Sequence, residues 1–277
     1  MIARILFVMV LGFFCFSAAA ASETEEKKVL EALQLLGMES HFSELHQTLV
    51  RGLNQRRLEG VASGELDYAA LERLIDRYFD PQLLSKKLAE QLRDQYDANR
   101  FELLLSSLRS EQIQQVRLGL ERAGAAENLE ALRTYARGYK SAPLDQQKTY
   151  IISGLDRASA GNELYAGVQA LATLTMLRLQ EVQQGISPQF AEDLLLQQLY
   201  TDYLESGRYT SEMIYRSALG EMRAEQLQLS LRLYRSTVIQ WFLGAAVEHF
   251  TTVATAQREQ LLAAVGEAEN APAQSAY

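Results

Sequence analysis

The sequence predicts an all-α protein made of two tandem, related antiparallel helical bundles packed together. Three observations predict it. Proline is scarce, 4 in 277 residues, while Leu, Gln, Glu, Arg and Ala, all good helix formers, are abundant. Apolar residues recur at helical spacing along most of the chain, and no run of alternating β-branched residues follows the amino-terminal segment. The chain also matches itself, with caps, stripes and a following helix repeated in one order.

The amino terminus reads as an export signal. Arg4 is the only charge before Glu23, an unbroken apolar run covers 5–16, and small residues follow at 17–22. A charged start, an apolar middle and a small-residue zone come in the order a signal peptidase requires, with cleavage expected after Ala19 or Ala21. The run falls short of the roughly 20 apolar residues of a membrane span, so no span is expected once the signal is removed. Phe13 and Phe14 stand where a lipidated cysteine wants small neighbours, so Cys15 leaves with the signal. The expected mature chain is periplasmic or secreted, free of cysteine, and dependent on its core for stability.

Each helix has its own warrant. Segment 25–36 carries Val29, Leu30, Leu33 and Leu36, and Gly37 ends it. A helix from Ser40 carries Phe42, Leu45, Leu49 and Leu53. After a loop at 60–64, Leu71, Leu74, Ile75 and Phe79 form the next stripe. Asp80-Pro81 then supplies a cap and a first-position proline for a helix bearing Leu84, Leu88, Leu92 and Tyr96. Helices follow at 101–108, 111–123, 124–140 and 144–158, and Ser159-Ala160-Gly161 is a break. A long helix over 163–184 bears Leu164, Val168, Leu171, Leu174, Leu177 and Leu179. Ser187-Pro188 opens the next, to about 204, and a short helix over 209–219 follows. The last helices cover about 224–265. Leu227, Leu231, Tyr234, Val238, Trp241 and Ala245 there alternate steps of four and three, as in a core-facing seam or a partner-binding groove.

The internal match sets the domain plan. Asp80-Pro81-Gln82 corresponds to Ser187-Pro188-Gln189, and Leu88, Gln91, Leu92 and Tyr96 to Leu195, Gln198, Leu199 and Tyr203. The run 109–114 corresponds to 223–228. The expected plan is a signal at 1–21, one copy at 22–140, a second at 141–266 and a disordered tail at 267–277.

Composition excludes several functions. The 27 Lys+Arg against 35 Asp+Glu give a net charge of −8, and losing Arg4 takes it to −9. Such a balance argues against nucleic acid and against docking on anionic lipid. His41 and His46 lie about 140° apart around a helix, and neither His-Glu-x-x-His nor Glu-x-x-His occurs, so no metal site is expected. There is no nucleophile elbow, phosphate loop or dinucleotide fingerprint, and no cofactor is implied. Tyrosines crowd the second half. Tyr203, Tyr215 and Tyr234, with Trp241, suit either an interhelical core or the wall of a small-molecule pocket.

The run from Glu225 through Tyr234, Ser236 and Gln240 resembles a family of exported bacterial helical proteins, catalogued as a domain of unknown function, number twenty fifty-nine in its series. That family has an acidic helix start, an apolar helix, then Phe-Tyr-x-Ser-Pro-x-Gly. Here Leu233, Thr237 and Ile239 replace the Phe, Pro and Gly. The resemblance covers about 40 residues and implies a periplasmic setting. It carries no known activity, and the lost Pro and Gly imply a continuous helix where the family breaks.

The expected function is a non-catalytic interaction or binding module with an envelope-protein partner. The alternatives are a carrier of a small apolar ligand between the two copies, and an enzyme of unrecognised type.

Overall fold

Helix starts are set by side chains that satisfy otherwise orphaned amides. In the computed structural model, which describes residues 24–60, 67–125, 128–139, 144–187 and 191–269, every regular element is helical and no strand occurs among them. The expected signal and its cleavage positions lie outside the described residues, as do tail residues 270–277. The elements are α1 (24–36), α2 (Met38–Leu58), α3 (Tyr68–Tyr78), α4 (Pro81–Leu92), α5 (Ala98–Leu108), α6 (Glu111–Gly124) and α7 (Leu129–Tyr139). They continue with α8 (Gln146–Ala158), α9 (Gly161–Gln183), α10 (Glu192–Ser206), α11 (Arg208–Leu219), α12 (Ala224–Tyr234) and α13 (Thr237–Glu269).

Four helices begin with the same device. Asp67, Asp80, Asp97 and Asp145 accept hydrogen bonds from the amides of Ala70, Leu83, Arg100 and Lys148 at 2.6, 2.8, 2.8 and 2.9 Å. Pro81 occupies the first turn of α4, as expected. The helix stops at Leu92, so Tyr96 falls beyond it, after one 3₁₀ turn at Arg93–Gln95. Gly37 separates α1 from α2 with φ +80°, a left-handed conformation that glycine adopts freely. α10 covers Glu192–Ser206, and the Pro188 start expected for it lies outside the described residues. α13 reaches Glu269, so the expected tail begins as helix.

The continuous helix implied around 234–240 is not what the structure has. α12 ends at Tyr234 and α13 starts at Thr237. The break needs neither Pro nor Gly, because Gln240 supplies the missing donors. Its Nε2 donates to the Tyr234 carbonyl at 2.7 Å and to the Ala158 carbonyl at 2.6 Å. The seam therefore changes face at the break. Leu227, Leu231 and Tyr234 are buried, but Val238, Trp241 and Ala245 are half-buried, and Ile239, Phe242, Ala246 and Phe250 take over the core.

One apolar core runs from Val29 to Val265. Packing crosses between residues 22–140 and 141–266: α2 lies on α9, α4 on α13, and α6 on both α11 and α12. Phe42 of α2 stacks on Phe250 of α13 at 4.7 Å between ring centroids, and Phe101 of α5 meets Phe242 edge-on at 5.4 Å. Burial of these rings and of the leucine stripes supplies most of the driving force. On α9, Leu177 departs from the expected stripe and is 43% exposed.

α10 is attached differently. It has no fully buried residue, and its first-turn Glu192 pairs with Arg258 of α13 and lies 3.9 Å from Arg178 of α9. Both arginines are buried, and Arg178 also pairs with Glu181 at 2.6 Å. Among the described residues, no helix is long and apolar enough to cross a membrane.

Candidate functional site

α2 carries two opposed stripes. Phe42, Leu45, Leu49 and Leu53 enter the core, while Ser40, His41, Glu44, Gln47 and Arg51 recur at turn spacing on another face. In isolation that polar face would meet water. Here α6, α9 and α11 lie over it and enclose a cavity of about 600 Å³. Its walls come from both halves: Arg117, Leu120 and Glu121 of α6, Leu164, Tyr165 and Gln169 of α9, and Thr210, Ile214 and Tyr215 of α11. Gln47 and Arg51 are exposed and mark its mouth. A smaller cavity of about 280 Å³ lies among α9, α10 and α13, beside Leu196 and Tyr200.

Enclosure sets the electrostatics. His41 and Glu44 retain accessible surface, but it opens on the cavity. The His41 imidazole loses hydration there, and its pKa falls to about 4. At neutral pH it is an uncharged donor and acceptor. Burial raises the Glu44 carboxyl, against smaller opposing effects of the Arg51 charge and of Gln169. Gln169 Nε2 donates to Glu44 Oε1 at 3.5 Å, the long limit of a hydrogen bond. Burial likewise raises Tyr165, whose hydroxyl is hydrogen-bonded to Thr210.

The far wall is an ion pair. Arg117 donates to Glu121 at 2.6 Å and to Gln114 at 2.8 Å. The Arg117 side chain lies 3.3 Å from where a Cβ on Gly37 would sit, so the α1–α2 turn packs closely on α6.

The floor is a chain of hydroxyls. Tyr215 Oη lies 2.5 Å from Ser159 Oγ, and Ser211 Oγ donates to Asp156 Oδ1 at 2.7 Å. Desolvation raises the Asp156 carboxyl despite Ser211, and the charges of Glu163 and Glu212 push the same way. Burial also moves the Tyr215 and Tyr234 phenols well above their ordinary range.

Of the four aromatic residues singled out in the sequence, the cavity collects two. Tyr215 and Tyr234 line it. Tyr203 lies on α10, with its hydroxyl 2.8 Å from Thr173 Oγ1. Trp241 packs edge-on against Phe101 at 5.8 Å, with the Arg100 guanidinium 4.1 Å from its ring centroid. Neither is part of the cavity wall. Tyr165, one of the tyrosines crowding the second half, also lines the cavity, as does His41, which the sequence offered only as a metal ligand to be set aside; Glu44 and Gln169 were missed. One signal was present: His41 and Glu44 are spaced His-x-x-Glu, the reverse of the order sought. His46, off that face, meets Asp76 of α3 at 2.8 Å.

This arrangement can hold a small molecule by an apolar body and a polar end. Among the described residues, no group of three or more His, Cys, Asp or Glu is placed to share a metal ion. No protein-family model, no curated protein and no solved structure matches this chain.

Proposed function

We propose that the chain is a non-catalytic binding protein whose ligand is a small molecule held between the two halves. One observation carries this reading: a cavity of about 600 Å³, walled by both halves and carrying a polar stripe from a single helix. That volume falls within the range typical of small-molecule sites, which pair apolar walls with a few placed polar groups. The polar stripe shifts the expected ligand from purely apolar to amphipathic. A structural cavity of this size without an occupant loses packing contacts, which fold stability favours filling.

The exported setting belongs to the same proposal. It rests on the charged start, apolar run and small residues of 1–22, and on the resemblance of 225–240 to an exported helical family. The duplication is also part of it. In its support, the matched helices α6 and α12 pack together, Ser230 Oγ donates to the Gln112 carbonyl at 3.2 Å, and the matched pairs Ile113/Leu227 and Val116/Ser230 are all buried. The partner-protein reading draws on α10, where Leu194 is 67% exposed.

The test is native mass spectrometry of the chain and of Ser43→Trp, purified from the same cells. Ser43 lines the cavity, and an indole there fills it while leaving Phe42 and Leu45 in the core. The expected result is a small-molecule adduct on the natural chain that is absent from the variant. The same adduct on both, or none on either, counts against the proposal.

A further inference from the structure

We infer that the cavity is a site for an organic cation, with an ammonium group bound at Glu44 and an apolar body laid along Leu164, Ile214 and Leu243. The inference rests on the binding reading above and adds the class of ligand.

The argument is a balance of charges facing one space. Arg117 is engaged by Glu121 at 2.6 Å and Gln114 at 2.8 Å. Arg51 stands exposed at the mouth, donates to Thr48 at 3.0 Å, and its charge reaches Glu44 only through space, with no ion pair between the two. His41 is uncharged at neutral pH and contributes no positive charge. The Glu44 carboxylate is different. Among the described residues its one side-chain hydrogen bond is the 3.5 Å contact from Gln169. The least compensated enclosed charge on the wall is therefore negative, held on the second turn of α2.

An ammonium group answers that arrangement. It offers up to three donors, and Glu44 is a charged acceptor in a region of low dielectric, where such a pair is stronger than in water. Gln169 donates through Nε2, which leaves its carbonyl oxygen as a further acceptor. The Tyr165 and Thr210 oxygens face the same end from α9 and α11. A carboxylate or phosphate would meet Glu44 there, and would have to displace Glu121 to reach Arg117. Burial already raises the Glu44 carboxyl; an ammonium would favour its ionised form, which a neutral apolar molecule cannot do.

The apolar body has its own surface. Leu164, Ile214, Leu243 and the Tyr215 ring all line the cavity, and Leu164, Leu243 and Tyr215 are buried. The ligand class is thus an amphipathic amine with one charged end.

Isothermal titration at pH 7.5 with octylammonium, octanol and octanoate tests the inference, on the full chain and on Glu44→Gln. The natural chain should bind octylammonium at least tenfold more tightly than either of the other two. Glu44→Gln should keep octanol binding and lose the tenfold preference, so octanol binding also reports that its cavity is intact. If octanol or octanoate equals octylammonium on the natural chain, the cation inference fails while the binding reading survives. A preference that persists in Glu44→Gln also overturns the inference. No binding of any of the three overturns both.

Discussion

The Tyr215 hydroxyl lies 2.5 Å from the Ser159 hydroxyl, joining α11 to the carboxyl end of α8 beneath the cavity. Gly161 makes room for it. A Cβ at that position would sit 2.5 Å from Tyr215 Oη and 2.6 Å from Asp156 Oδ1. Tyr215→Phe is expected to lower stability by about 1–2 kcal/mol, through one lost hydrogen bond in a desolvated place. Gly161→Ala is expected to cost more, about 2–3 kcal/mol, because neither neighbour is the tip of a free side chain. Urea denaturation checks both. Equal midpoints for Gly161→Ala and the natural chain would mean that the close approach is absent.

His41 makes stability depend on pH. Its folded pKa, about 4, is below the ordinary value of 6.5, so between these values the unfolded chain binds more protons. Its effect is therefore a loss of stability as pH falls from 6.5 to 4, reaching roughly 3 kcal/mol at most. Glu44 and Asp156 act in the other direction, because their folded pKa values are raised and their contribution is lost as pH rises. His41→Gln isolates the histidine. Relative to that variant, the natural chain should lose stability across this window in thermal melts, and parallel curves would refute the assignment.

Ala160 is the only described non-glycine residue with positive φ, at 55°. It forms the corner between α8 and α9. A left-handed alanine costs about 1 kcal/mol, which glycine avoids, although glycine gives back part of this through its freer unfolded chain. Ala160→Gly is expected to raise the melting temperature by one to a few degrees. A lower melting temperature would show that the corner carries no strain.

Glu192 neutralises a buried guanidinium. Glu192→Gln leaves Arg258, which has essentially no exposed surface, without its carboxylate. The expected loss is about 2 kcal/mol, below that of a fully enclosed pair because the Glu192 side chain is 36% exposed. The double variant Glu192→Gln/Arg258→Met should regain most of it. Hydrogen exchange should also show faster opening of α10 than of α9 in the single variant. Uniform exchange in both helices would separate Glu192 from the anchoring of α10.

Much of this fold was legible because helices declare themselves locally. The Asp80-Pro81 start and the buried stripe of α4 follow from residue types and spacing alone. The Asp67, Asp97 and Asp145 caps use equally local chemistry, but an aspartate on a polar surface looks the same until the amide it accepts is known. The α12–α13 break was illegible for another reason. Gln240 makes it, and one of the two carbonyls it binds belongs to Ala158, on a different helix. The site was harder still. Ser40, Glu44 and Gln47 have the spacing of an ordinary solvated face, and only the packing of α6, α9 and α11 over them turns that face inward. Tyr215 and Tyr234 could be singled out because tyrosines crowd the second half of the chain and Tyr234 falls on the regular seam. Glu44 could not, since nothing in its neighbours along the chain signals enclosure.

The stack of Phe42 on Phe250 joins two residues about two hundred positions apart. During synthesis α2 must wait for nearly the whole chain before its aromatic partner exists, and contacts of such long separation slow the final step of folding. A chain emerging from the ribosome therefore spends most of its elongation unable to complete its core. Under the proposed export, in which the chain would pass a membrane channel as an extended strand, that delay is an advantage: it keeps the polypeptide pliable until its last helix is made.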